Sequence, residues 1–208
     1  MIFSLDLFRR SDFLNIMRVG VLTTKKEFKN HQRMLAQCGI DGVLIINAQD
    51  LNDIDGFILA DDDRIMGHAW KDRDQLHQAI KGKVYQGMPI FGISQGMMVL
   101  AREMKQEDGL YLRLLEIKVE KDGFHLIKES FEVPLKIDVL GKAPFPGIFI
   151  GAPYIRSIQP NVGILAMYQE KIVMVRQGNI LGASFHPELT DDLRVYLYFK
   201  QMIEDAKG

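Results

Sequence analysis

The chain has one cysteine, Cys38, so no disulfide can form within it and no cysteine-rich zinc site can be built. Charge of one sign is also lacking. Lys and Arg number 26 against 27 Asp and Glu, a formal net charge of −1, so bulk electrostatics point to neither nucleic acid nor an anionic membrane. No apolar run approaches the roughly 18 residues that a membrane helix requires. Internal repeats, low-complexity tracts and linkers are missing as well. These absences leave a soluble protein in a reducing, cytoplasmic setting as the expectation. What is present fits it: 208 residues, 47% hydrophobic and 25% charged, are enough for one domain with a sizeable core.

The start of the chain stands apart. Residues 1–16 open with an apolar stretch that lacks a basic n-region and contains Asp6, so they read poorly as a secretory signal. Met17-Arg18-Val19-Gly20-Val21-Leu22 looks like a natural entry into a strand. The expected division is an N-terminal extension, or misassigned start, over 1–16 and one domain over 17–208. If translated, Phe3, Leu5, Leu7 and Phe8 of the extension offer an apolar docking segment.

Hydrophobic patterning alternates between short β runs and helical segments. Strands are expected at Val19–Leu22, Val43–Ile46, Gly56–Leu59 and Pro89–Ile93. Helices are expected at Glu27–Cys38, stopped by Gly39, at Lys71–Lys81, and from the segment after Pro89–Ile93 to about Met104. This β-α-β order argues for a parallel sheet covered by helices, with functional groups at the carboxyl ends of strands. The second half is β-like at Leu115–Glu120, Phe131–Ile137, Ile148–Ile150, Val162–Tyr168, Ile172–Arg176 and Ile180–Phe185, with hairpin turns at Gln169-Glu170 and Gly178-Asn179. A closing helix over Leu193–Ala206 is expected, capped by Thr190 or Asp191. Met97, Met98 and Met104 read as core filling, and His68, Trp70 and His77 as surface.

Two segments carry chemistry. Gly92-Ile93-Ser94-Gln95-Gly96 is a G-x-S-x-G motif between an apolar strand and an apolar helical run, the setting of a nucleophile elbow. The glycines permit a sharp turn, and amide N–H groups at the helix start face the Ser94 side chain. Downstream, Phe185-His186-Pro187-Glu188 supplies an imidazole to accept a proton and a carboxylate to orient it. For Ser94, the competing explanation is that small residues suit a tight strand–helix turn. For His186 and Glu188 it is a packed pair without turnover. Asp61-Asp62-Asp63 reads first as a solvated loop; three carboxylates with His186 could hold a divalent cation, but the spacing matches no known metal loop, and no metal is expected.

Taken together, the Val-Gly-Val-Leu strand, the elbow after Met88-Pro89-Ile90-Phe91-Gly92, and Gly182-Ala183-Ser184-Phe185-His186-Pro187-Glu188-Leu189-Thr190 resemble the class I, triad-type glutamine amidotransferases. The resemblance is greatest to the glutaminase subunit of pyridoxal 5′-phosphate synthase, from Met17 onward. Ala36-Gln37-Cys38-Gly39, Asp55-Gly56-Phe57-Ile58-Leu59, Gly147-Ile148-Phe149-Ile150 and Ala152-Pro153 add to it. The resemblance implies a flavodoxin-like α/β fold: a mostly parallel central sheet flanked by helices, with an added antiparallel β portion. It also implies glutamine hydrolysis by a Cys-His-Glu triad, with ammonia passed to a synthase subunit and no cofactor.

His186 and Glu188 match that family's triad, but the nucleophile position carries Ser94 instead of cysteine. Cys38 falls at the end of the first helix and cannot stand in. The Gly-Gly-Glu that serves oxyanion and substrate binding in the family is Asp61-Asp62-Asp63 here. A mid-chain arginine becomes Lys121. The arginine after Ile150 becomes Gly151, and the elbow's small residue becomes Gln95. By the resemblance, Asp61, Asp62, Asp63, Lys121, Ile150 and Gly151 hold substrate-binding positions, and Gln95 and Asp62 oxyanion positions. A hydroxyl is a weaker nucleophile than a thiolate, and carboxylates near a developing oxyanion have the wrong sign. Three functions follow: a catalytically impaired subunit that binds a synthase or another protein as partner or regulator, an active glutaminase using Ser94 on L-glutamine, or a serine hydrolase of another ester or amide.

Overall fold

The computed structural model describes residues 16–61, 73–104, 111–121 and 130–208. The N-terminal extension with Phe3, Leu5, Leu7 and Phe8, and Asp62, Asp63, His68 and Trp70, lie outside the described residues.

Chain order is β1 (Arg18–Leu22), α1 (Lys25–Gln37), β2 (Asp41–Leu44), β3 (Gly56–Leu59), α2 (Arg73–Tyr85), β4 (Ile90–Ile93), α3 (Gln95–Leu100), β5 (Ala101–Met104) and β6 (Leu115–Glu120). There follow β7 (Phe131–Leu135), β8 (Phe145–Phe149), β9 (Tyr154–Ile158), β10 (Gly163–Tyr168), β11 (Lys171–Gln177), β12 (Ile180–Ala183) and α4 (Arg194–Lys207). Among the described residues the main sheet runs β2-β1-β3-β4-β12-β11-β9-β6-β5, with β10 paired to β11, and β7-β8 form a separate antiparallel pair. The β2-to-β12 half is parallel, whereas β12-β11, β11-β9 and β9-β6 are antiparallel. This is the α/β fold with a parallel core and an antiparallel addition.

The central strands are apolar on both faces because both faces are covered. Phe57 and Leu59 of β3 pack with Leu76 and Ile80 of α2 and the methionines of α3. Ile58 joins Met34 and Leu35 of α1 and Phe199, Met202 and Ile203 of α4 on the other side. Met97 and Met98 are core residues, as expected.

Several boundaries depart from the sequence reading. The helix after the elbow ends at Leu100, where Ala101 turns extended and starts β5; β5 pairs parallel with β6, and that pairing overrides an apolar run that is equally compatible with helix. Strand β2 begins at Asp41, paired with Arg18, two residues earlier than the apolar pattern indicates. Strand β9 has no clear signal of its own and is specified by its neighbours β6 and β11. Neither Thr190 nor Asp191 caps α4. Asp192 Oδ1 accepts from the Arg194 N–H at 3.0 Å, and Thr190 Oγ1 accepts from the Asp192 N–H at 3.1 Å. The Gln169-Glu170 hairpin takes positive φ at both residues, 46° and 64°, the requirement of a type I′ turn.

Candidate functional site

The elbow sits between β4 and α3, at the carboxyl edge of the parallel half. Ser94 has φ 52° and ψ −113°, a region that costs a non-glycine residue of the order of 1–3 kcal/mol and persists only where the surroundings impose it. They do: the Ser94 N–H donates to Ala183 O at 2.8 Å, and its carbonyl accepts from Met97 and Met98. The strained φ thus falls on Ser94, not on the flanking glycines. The glycines serve close approach instead. A Cβ at Gly96 would lie 2.0 Å from Leu59 O, and one at Gly92 would lie 2.8 Å from the Met97 backbone.

Strand β12 runs beside β4, with Ala183 opposite Ile93. It therefore delivers the next residues, Ser184-Phe185-His186, to the same end of the sheet as Ser94. The His186 N–H donates to Ile148 O at 2.8 Å, and a short 3-10 turn, Pro187–Leu189, folds Glu188 back onto the ring. His186 Nδ1 and Glu188 Oε1 are 2.8 Å apart. Both residues are buried, 4% and 5% exposed.

Asp61, two residues beyond the end of β3, completes the group. Its Oδ1 accepts from the Gln95 N–H at 3.4 Å, its Oδ2 lies 3.6 Å from His186 Nε2, and the Ser94 side chain favours its ionised form. A cavity of about 550 Å³ opens over these groups, lined in part by Asp61, Gln95, Ile150, His186, Glu188 and His31.

The electrostatics follow from burial opposed by pairing. Burial disfavours the His186 imidazolium, but the Glu188 hydrogen bond and charge, then Asp61 and Glu27, outweigh it and raise the pKa. Burial likewise pushes Glu188 up, but His186 as hydrogen-bond donor, with His31 nearby, brings it below the usual carboxylate range. Asp61 is raised by burial, against the pull of His186 and the Gln95 N–H.

The site also contains residues that sequence reasoning passed over. His31, on α1, is buried on the cavity wall with Nδ1 2.7 Å from Tyr196 Oη. Burial lowers its pKa, so its neutral form is favoured. It lies between Phe28 and Leu35 at helical spacing, and a polar residue on an apolar stripe was the available signal. Arg33, two residues after His31 on α1, donates to Thr190 O at 2.8 Å, Glu188 O at 3.3 Å and Asp191 Oδ1 at 2.7 Å, clamping the turn that carries Glu188. Thr24, Lys26, Glu27 and Leu189 complete the lining.

Other expected positions fall elsewhere. Lys121 is exposed at the end of β6 and does not line the cavity. Strand β6 is four places from β4 in the sheet, roughly 19 Å at ordinary strand spacing. Gly151 is exposed with φ 49°, next to Ile150, which does line the cavity. The Gln95 N–H, the expected oxyanion donor, is bonded to Asp61 Oδ1. Cys38 is buried at the C-terminus of α1. Among the described residues no helix is long and apolar enough to cross a membrane.

Comparison with known proteins identifies the family and the fold. The sequence profile of the SNO glutamine amidotransferase family matches residues 21–205. A pyridoxal 5′-phosphate synthase subunit PdxT from Desulforamulus reducens is 39% identical over 188 residues, covering 90% of this chain and all of that protein. The subunit of the same name from Moorella thermoacetica is 41% identical over 187 residues, with the same coverage. Among solved structures, a glutamine amidotransferase crystal structure superposes with a TM-score of 0.79 at 30% identity, covering 89% of this chain and 98% of the other. PurLQS from Thermotoga maritima, at 14% identity and a TM-score of 0.64 over 93% of this chain, shares the fold.

Proposed function

The chain belongs to the SNO glutamine amidotransferase family, and from that premise we propose that it is a pyridoxal 5′-phosphate synthase glutaminase-type subunit whose glutamine hydrolysis is impaired and which acts as a non-catalytic partner or regulator. The observation that carries this reading is Ser94. The elbow is intact, strained and held by Ala183, yet it presents a hydroxyl where the resemblance calls for a thiol. The parts that build the fold are kept while the reacting group is changed. A hydroxyl needs a neutral base and a free oxyanion donor; here His186 is held toward its protonated form.

Because the relatives are themselves named as subunits of a synthase, the partner in this reading is another subunit of such a synthase or a different protein. Ile150 and Leu189, 44% and 38% exposed, are apolar residues at the cavity, and apolar surface beside such an opening suits a covering protein. L-Glutamine is a ligand only if activity remains. The decisive experiment is ammonia release from L-glutamine by the chain alone and with its synthase partner. No turnover is expected, and a rate above about 1 per second, ordinary for an enzyme, overturns the impaired reading.

A second reading, a serine hydrolase, is favoured by the 2.8 Å His186–Glu188 bond behind a strained serine. Ester hydrolysis that disappears in Ser94→Ala supports it; hydrolysis indifferent to that change removes it.

A further inference from the structure

Polar groups of Gln95, Ser94 and His186 surround one carboxylate at the cavity, that of Asp61. The Gln95 N–H donates to Asp61 Oδ1 at 3.4 Å, His186 Nε2 stands 3.6 Å from Asp61 Oδ2, and the Ser94 side chain favours the ionised carboxyl. Among the described residues His186 Nε2 is buried and has no hydrogen-bond partner of its own, so Asp61 is the acceptor it faces. The backbone leading to Asp61 is fixed: Ala60 is fully buried and its N–H donates to Leu22 O at 3.2 Å. The carboxylate is therefore placed by strand β3.

These groups are the ones an acyl substrate would need. A carbonyl oxygen turning into an oxyanion seeks the amide N–H beside the nucleophile. A base must present a free imidazole nitrogen to the hydroxyl. A carboxylate oxygen carries the charge and acceptor geometry of such an oxyanion, so Asp61 is an internal counterpart of the reacting group.

We propose that Asp61 is the specificity-determining residue of this pocket: its carboxylate fills the seat of the acyl oxygen, so carboxamide substrates such as glutamine enter only when Asp61 is neutralised or removed. This rests on the glutaminase-type reading of the pocket and deepens it. The charged and titratable groups facing Asp61 are His186 and, behind it, Glu188; Glu27 and His31 act on that pair from α1. His186 favours the ionised Asp61 and Glu188 opposes it, so the seat is filled while His186 keeps its proton. A carboxamide that displaced Asp61 would leave an imidazolium and a carboxylate separated in a buried site, which disfavours entry.

The test uses the full chain and L-glutamine as the probe. Calorimetric affinity is measured at neutral pH for the unmodified protein, Asp61→Asn and Asp61→Ala, the second guarding against an amide that reproduces the same contacts. His186 is titrated in each by ring-nitrogen NMR. The expected result is glutamine affinity roughly tenfold or more higher in a variant than in the unmodified chain, with the His186 midpoint lowered. Equal affinity in all three proteins, including no detectable binding to any, overturns the proposal, as does a His186 titration that neither variant moves. Equal affinity without ammonia release would remove the filled seat and leave the impaired reading standing on Ser94. Robust ammonia release by the unmodified chain would instead remove that reading.

Discussion

Replacing Glu188 with Gln keeps the side chain's shape and an oxygen acceptor for His186 Nδ1, and removes one buried charge. The bond at stake is 2.8 Å long between residues that are 4% and 5% exposed. A hydrogen bond to a charged group contributes about 1.5–3 kcal/mol and a neutral one about 1 kcal/mol, so the variant should lose about 1–2 kcal/mol while the pair is ionised. The pH window follows from the two shifts. His186 is raised above its ordinary 6.5, so its contribution is complete below 6.5 and is lost as pH rises through the higher folded value. Glu188 is lowered below its ordinary 4.5, so its contribution is complete above 4.5 and is lost as pH falls through the lower folded value. The full penalty therefore belongs between these limits. Above the His186 folded value the unmodified chain carries a buried carboxylate without its counter-charge, and Glu188→Gln becomes neutral or stabilising. Urea denaturation at about pH 5.5 and at a pH above the His186 midpoint, located by NMR titration, reads this difference directly. With a slope of about 2–3 kcal/mol per molar, the midpoint should fall by roughly 0.5 M at the lower pH and not at the higher. An equal loss at both pH values would refute the ion-pair account and leave only packing.

Three further outcomes are expected. Ser94→Cys supplies a thiolate but leaves Asp61 on the Gln95 N–H, so ammonia release from glutamine should stay below about 1 per second; robust turnover would show that the nucleophile alone was limiting. Gly96→Ala drives a methyl group to 2.0 Å from Leu59 O, and because backbone must yield, the loss should reach about 3 kcal/mol by denaturant titration; a change within about 0.5 kcal/mol, the range of an ordinary surface substitution, would mean the elbow and β3 can separate freely. Arg33→Ala removes the donor shared by Glu188 O and Thr190 O, with a cost of about 1 kcal/mol and faster amide exchange at Leu189 and Thr190, whose N–H groups close this turn; unchanged exchange there would show that the turn holds itself.

The parallel half of the sheet was legible because its strands are short, apolar throughout and punctuated by polar segments. Gly56–Leu59 carries its limits in its own pattern. Where strand identity comes from a neighbour, the sequence is mute. Asp41 and Gly42 join β2 because Arg18 and Val19 pair with them. Ala101–Met104 leaves the helix because β6 offers a parallel edge. The His186–Glu188 pair could be read from its spacing and the elbow from its glycines. The direction in which Asp61 points could not, because it depends on where β3 ends relative to α3. The resemblance gave the oxyanion place to Asp62, which lies outside the described residues; the described structure has Asp61 on the Gln95 N–H. His31 and Tyr196 come from helices 165 positions apart in sequence, a separation that local patterning does not bridge.

Strand β12 lies in the middle of the sheet, between β4 and β11, although it is the last strand in the chain. During synthesis from the N-terminus, β1 to β4 emerge well before the partner that closes them. Until residue 183 arrives, the edge of β4, with its buried Ile90, Phe91 and Ile93, has nothing to pair with on that side. Such an edge is a template for pairing with the wrong chain, and contacts of long sequence separation form slowly. The hairpin of β11 and β12, joined through Gly178 and Asn179, supplies that partner and carries His186 to the same end of the sheet as Ser94. A ribosome-stalled chain ending before β12 is consequently exposed to misassembly, and the pocket cannot be complete before β12 and the His186–Glu188 turn are in place.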